Sequence, residues 1–105
     1  MWPVVKEFCD HGCCAVVLVR CLTSGRILAY CHDCGAAWLT PRDLAQRAYG
    51  IGSRLCPASI EIPDREEVAA SHWGSDVLRL MPESEYSTAS EINARLARER
   101  VSRPD

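Results

Sequence analysis

The chain is 105 residues long, 48% hydrophobic and 25% charged, and its 12 basic and 14 acidic side chains leave a formal net charge of -2. That size suits one globular domain and leaves no comfortable room for a second. The mild acidity excludes an overall electrostatic pull toward nucleic acid or anionic lipid, so any polyanion contact has to come from a local patch. Eleven of the 12 basic residues are Arg and Lys6 is the one lysine, a composition habit expected of a GC-rich bacterial genome. No apolar run approaches the ~20 residues that cross a bilayer, and the start MWPVVKEF lacks the basic segment and apolar core of a secretory signal. The expectation is a cytoplasmic protein, away from membranes, with reduced cysteines. Seven cysteines, an odd number gathered mainly in two tight clusters, fit metal binding better than a disulfide framework.

Residues 1–39 hold six of those cysteines and two of the three histidines. Trp2, at the start, is read as an exposed residue available to a partner. The stretch FCDHGCC, residues 8–14, crowds three cysteines and His11 together and gives way to AVVLVRCL, the turn TSGR and ILAYC. These two apolar pieces predict antiparallel strands joined by a hairpin, with Gly25 supplying the positive φ of the turn. With Ser24 and Gly25 as the two loop residues, Val19 lies opposite Tyr30, Leu18 opposite Cys31 and Ala15 opposite Cys34. That register brings the first cysteine cluster beside the second, CHDCG at residues 31–35, so the open end of the hairpin assembles four ligands by itself. Cys21 and Cys56 lie outside the knots and are read as small buried hydrophobes.

Two cysteine knuckles at the open end of a hairpin resemble the zinc-ribbon proteins, and the resemblance covers residues 9–35. It implies a structural Zn2+ with four protein ligands at about 2.3 Å in a tetrahedron, contributing folding energy directly. In Cys31-His32-Asp33-Cys34-Gly35 a tight turn aims both thiolates inward and points backbone N–H groups at the sulfurs. The first knuckle departs from the plain C-x-x-C form. Cys9 and Cys13 offer C-x-x-x-C, with Gly12 absorbing the extra residue; His11 and Cys14 offer H-x-x-C instead. The first pair is preferred because all-thiolate sites are common for structural zinc, with His11 and Cys14 as the alternates. CHDC also has the form of a thiol–disulfide exchange motif. Such motifs open a helix, however, and here GAAWLTP follows. A metal-bound thiolate that senses oxidants by losing its zinc is kept as a third reading.

From residue 40 the period changes. Thr40 as N-cap, Pro41 at the first position and the stripe Leu44, Ala45, Ala48 and Tyr49 predict a helix that Gly50 ends, packed on the hairpin with Trp38 at the joint. LCPASIEIP predicts a short extended segment. Asp64 and Glu67 form a capping-box pattern for a helix over DREEVAASHW, stopped by Gly74, with Val68 and Trp73 inward and His72 on the surface. VLRLMPE is apolar without a clear type. Thr88 and Glu91 cap a last helix containing Ile92, Leu96 and Val101, before a frayed 102–105. Arg95, Arg98, Arg100 and Arg103 cluster along it. They read either as a basic face for an acidic partner or as a solvated helix end.

The expected fold is therefore a single small α+β domain over 1–105, with a zinc-ribbon-like antiparallel β-hairpin (1–39) followed by about three short helices (40–101). No phosphate loop, HExxH, GxSxG or zinc-deaminase pattern is present. Glu7, Asp10 and Asp33 lie close in sequence to the cysteines, yet four filled positions leave no place for a substrate water. The expected function is non-catalytic: a zinc-binding module for protein–protein contact, of the sort found among toxin-neutralising (immunity) or accessory proteins of bacteria. Its partner-contact candidates are Trp2, Arg95 and Arg98. The alternative is a nucleic-acid-binding ribbon of transcription or translation machinery. Only Arg20 and Arg26 supply cations on the hairpin, which counts against it.

Overall fold

A computed structural model describes residues 1–102, and at its centre is the expected hairpin. β2 (Val16–Cys21) pairs antiparallel with β3 (Ile27–Tyr30), but Val17, not Val19, faces Tyr30, and Arg20 faces Ile27. The connection is longer than two residues. The Cys21 N–H donates to the Arg26 carbonyl, and the Gly25 N–H to the Cys21 carbonyl, which leaves residues 22–25 to turn with Gly25 at φ 71°. Because side chains alternate with period two, this two-residue slip keeps every strand residue on its expected face.

The hairpin does not stand alone. Strand order across the seven-stranded sheet is β5 (Gly50–Ile51), β4 (Ala36–Trp38), β3, β2, β1 (Trp2–Lys6) and β7 (Arg79–Met81), all antiparallel. β6 (Ile60–Glu61) pairs with the far end of β2, beyond the stretch that β1 covers. Three strands thus come from the half expected to be helical. VVLV in β2 reads as a continuous apolar run because the strand is buried on both faces. Val17, Val19 and Cys21 face one core with Trp2, Leu28, Tyr30, Ile92 and Leu96. Val16 and Leu18 face the other with Ala29, Trp38, Leu44, Val68 and Trp73. Trp2, expected on the surface, is fully buried in β1, and its Nε1–H donates to the Ser87 carbonyl at 2.7 Å.

Helices cover both faces. α1 (Pro41–Ala45) has the expected cap, Thr40 Oγ1 accepting from the Asp43 N–H, but ends five residues before Gly50. Arg47 adopts φ 57°, breaking the helix, and Gly50 enters the sheet beside Ala37; of the expected stripe only Leu44 is buried. α2 (Gly52–Leu55) is a single turn that ends where the stretch expected to be extended, residues 55–63, begins, and β6 supplies the extended part. α3 (Arg65–Ala70) carries the Asp64–Glu67 capping box. It stops ahead of Gly74 because Ser71 Oγ donates to the Val68 carbonyl and accepts from the Trp73 N–H, competing with the helical ladder. Val68 and Trp73 are buried and His72 is exposed, as expected. α4 (Ala89–Ser102) starts with the reciprocal Thr88–Glu91 cap and buries Ile92 and Leu96 against the sheet; Val101 is exposed. Of the segment 102–105, Ser102 ends α4 and residues 103–105, including Arg103, lie outside the described residues.

Cys21 and Cys56 are buried, as expected, but they are joined by a disulfide that ties the end of β2 to the residue after α2. Among the described residues the fold is a small α+β structure with one antiparallel sheet and four short α-helices. No helix among the described residues is long and apolar enough to cross a membrane.

Candidate metal centre

Each of the first two sequence knots folds into a closed loop, and the two loops share a hydrogen-bonding plan. The Cys9 N–H donates to the Cys14 carbonyl at 2.8 Å and the Cys31 N–H to the Ala36 carbonyl at 3.0 Å, so both loops close between a cysteine and the fifth residue after it. Each turn uses one glycine in the left-handed region, Gly12 at φ 72° and Gly35 at φ 77°. A Cβ at Gly35 would also sit 2.9 Å from Glu99 Oε1, so that side chain would have to move aside. Gly12 falls one residue earlier in its loop than Gly35 does. The first loop therefore places its second thiol four residues after Cys9, and the other places its second thiol three after Cys31. The extra residue of C-x-x-x-C is absorbed without opening the loop.

These turns bring Cys9, Cys13, Cys31 and Cys34 together with all four sulfurs within 4.8 Å of one another. Cys9 and Cys31 are buried, and Cys13 and Cys34 reach the surface. Cys13 Sγ lies 3.6 Å from Cys31 Sγ, and Cys9 Sγ lies 4.0 Å from Cys34 Sγ. A tetrahedron with metal–sulfur bonds of about 2.3 Å has edges of about 3.8 Å, so these two spacings already match a bound ion. The Cys9–Cys13 pair, at 2.9 Å, is closer than such an edge. Five free thiols gather in all, for Cys14 Sγ sits 3.3 Å from Cys31 Sγ without belonging to the mutually close set of four. His11 is turned away: it is exposed, with its ring edge against Tyr49 at 5.1 Å.

The thiols differ in how readily they ionise. Burial pushes Cys9 up, but hydrogen bonds from the Cys13 side chain and from the backbone of Cys13, Cys14 and His11 outweigh it and bring the thiol down to about 6. Burial raises Cys34 to about 11, against a hydrogen bond from the Ala36 backbone. Cys31 is raised too, chiefly by burial, although the backbone of Cys34 and Asp33 donates to its sulfur. Cys13 is raised by burial, by its contacts with Cys9 and Cys31 and by the neighbouring sulfur charges. Four thiolates cannot share this volume by themselves. A cation is what would let them.

Groups far along the chain hold the second loop. The Tyr86 hydroxyl accepts from the His32 N–H at 2.8 Å and donates to the Ala15 carbonyl at 2.9 Å, linking the start of the second loop to the exit of the first. The His32 ring stacks on Tyr86 at 3.6 Å, and its Nδ1 shares a 2.6 Å hydrogen bond with Ser87 Oγ. From α4, the Arg95 guanidinium donates to the His32 carbonyl and also pairs with Glu99. Arg95 therefore serves the loop beside the cysteines instead of forming an exposed basic face, and Arg100 likewise donates inward to the Ala58 carbonyl. Arg98 remains exposed. The hairpin end is thus not self-sufficient. Nothing in the pattern around Tyr86 marked it as a clamp, because its partners are backbone atoms more than fifty residues away.

The three acidic residues near the knots are not part of the thiol set. Glu7 is bound by the Arg79 guanidinium at 2.9–3.3 Å, Asp10 Oδ1 accepts from Lys6 Nζ at 2.9 Å, and Asp33 is exposed. Compared with protein-family models, curated proteins and solved structures, the chain finds no match in any of the three.

Proposed function

We propose that the protein is a non-catalytic zinc-binding module, with the ion held by Cys9, Cys13, Cys31 and Cys34, and that it acts by contacting another protein. The observation that carries the metal reading is the approach of four thiols, contributed by two separate loops, to within 4.8 Å of one another. Soft, all-sulfur coordination in a four-fold set favours zinc over the hard cations. Filling all four positions with cysteine leaves none for a substrate water, and the carboxylates nearby already have cationic partners or face solvent. A protein partner is favoured over nucleic acid because α4 turns two of its arginines inward, onto the His32 and Ala58 carbonyls. Exposed Met1, Leu78 and Leu80 also rim a groove of about 610 Å³ beside the edge strand β7.

Elemental analysis of the protein purified without chelator tests the metal reading. One equivalent of zinc is expected, lost in Cys31→Ser and Cys34→Ser and in Cys9→Ser and Cys13→Ser, but retained in His11→Ala. A chain carrying less than about half an equivalent while folded contradicts the reading, and loss in His11→Ala transfers the site to the H-x-x-C pair.

A further inference from the structure

Cys14 takes the same place in the first loop that Ala36 takes in the second: each carbonyl accepts the closing hydrogen bond from the loop's leading cysteine. A ligand is not needed at that place, and the second loop manages with a methyl group. The first loop instead puts a sulfur there, 3.3 Å from Cys31 Sγ and partly open to solvent. Resting on the metal reading above, we infer that Cys14 is a built-in oxidation site of the centre, which captures Cys31 as a disulfide and so opens the metal site.

The geometry favours this pair over the closer one. Cys9 and Cys13 lie 2.9 Å apart, but both are ligands, and a bound ion holds both sulfurs in its own bonds. Cys14 is the free thiol beside the set of four, so it is the sulfur that stays available while the ion is bound. A disulfide needs the sulfurs at about 2.05 Å, so Cys14 and Cys31 have to close by little more than 1 Å. The oxidant class is a peroxide. Cys14 Sγ attacks one oxygen of hydrogen peroxide, the O–O bond breaks, and Cys14 becomes S–OH while water leaves with the thiol proton. The Cys31 thiolate then attacks the Cys14 sulfur. The S–OH bond breaks, an S–S bond forms, hydroxide leaves to become water with a solvent proton, and Cys31 would no longer be a ligand for the ion. Two sulfurs give up two electrons, and one peroxide becomes two waters. Three ligands remain.

The test uses the zinc-loaded full chain. Zinc is counted first; then hydrogen peroxide is added, released zinc is followed with a chromogenic chelator, and disulfides are mapped by mass spectrometry without reduction. Cys21–Cys56 serves as the internal reference for the map. The wild type should yield a Cys14–Cys31 cross-link in step with zinc release, and Cys14→Ser should bind one zinc yet release it at least about tenfold more slowly. Release from Cys14→Ser at the wild-type rate, or a Cys9–Cys13 cross-link forming first in the wild type, overturns the inference while leaving the metal reading intact. A chain that holds no zinc before peroxide is added overturns both.

Discussion

At the scale of single residues, the four clustered thiols are unequal, and that inequality has a measurable consequence. Cys9, brought down to about 6 by hydrogen bonds that outweigh its burial, is already a thiolate at pH 7.5. Cys34, raised to about 11, and Cys13 and Cys31, also raised, keep their protons in the metal-free protein. A metal binds the deprotonated forms, so uptake has to expel the protons of the raised thiols and none from Cys9. Zinc binding at pH 7.5 should therefore release about three protons, and affinity should rise with pH across the range between the Cys9 and Cys34 values. Below pH 6 Cys9 is protonated as well, which makes the loss of affinity with falling pH steeper. Calorimetric titration in buffers of different ionisation enthalpy reads this number directly. A release of four protons at pH 7.5 would show that the Cys13 thiol and the amides around Cys9 do not hold its charge.

At the scale of elements, α4 is joined to the second cysteine loop more closely than sequence spacing suggests. Ile92 and Leu96 anchor it in the core, and from that anchored helix Arg95 reaches the His32 carbonyl while Glu99 lies against Gly35. Tyr86, just ahead of the helix, holds the His32 N–H. The peptide groups on both sides of His32 are thereby fixed, and with them the directions of the Cys31 and Cys34 side chains. Contacts of this supporting kind commonly contribute a factor of ten or more to metal affinity. Arg95→Met keeps most of the aliphatic stem but removes the donor. It should weaken zinc binding about tenfold while leaving the α4 core and the far-ultraviolet spectrum unchanged. Competition against a chelator of known affinity measures the change; an unaltered affinity would return Arg95 to the role of a surface cation.

At the scale of the whole molecule, the candidate metal site sits in a fold that has other supports. The hairpin is the middle of a seven-stranded sheet covered on both faces, and Trp2, Trp38 and Trp73 are fully buried in its two cores. The radius of gyration, 12.4 Å, is close to the ~13 Å expected of a compact domain of this length. A disulfide spanning 35 residues adds a second cross-link remote from the thiols. By limiting the unfolded chain, a cross-link of that span contributes about 2–4 kcal/mol. Removing zinc with a chelator should consequently lower the melting temperature without abolishing the near-ultraviolet signal of the buried tryptophans or the single unfolding transition. If tertiary signal and cooperativity vanish together on chelation, the sheet depends on the ion after all.

Sequence alone determined the features that rest on short-range chemistry. The hairpin strands follow from two apolar runs around a glycine turn, the Thr40, Asp64 and Thr88 caps from residues that satisfy amides three positions away, and the cysteine loops from ligand spacing set by a few backbone angles. Tertiary structure decided what spacing does not encode. Two- and three-residue strands such as β5, β6 and β7 have too few side chains to show a period, and they exist only because β4, β2 and β1 offer backbone partners. Trp2 is buried because β7 and the segment around Tyr86 close over it, although chain ends are usually exposed. Cys21 meets Cys56 because β6 lies along β2, a pairing between segments almost forty residues apart. Arg95 turns inward for the same kind of reason: packing of α4 on the sheet brings the His32 carbonyl within its reach, whereas its pair with Glu99 comes from the helix itself.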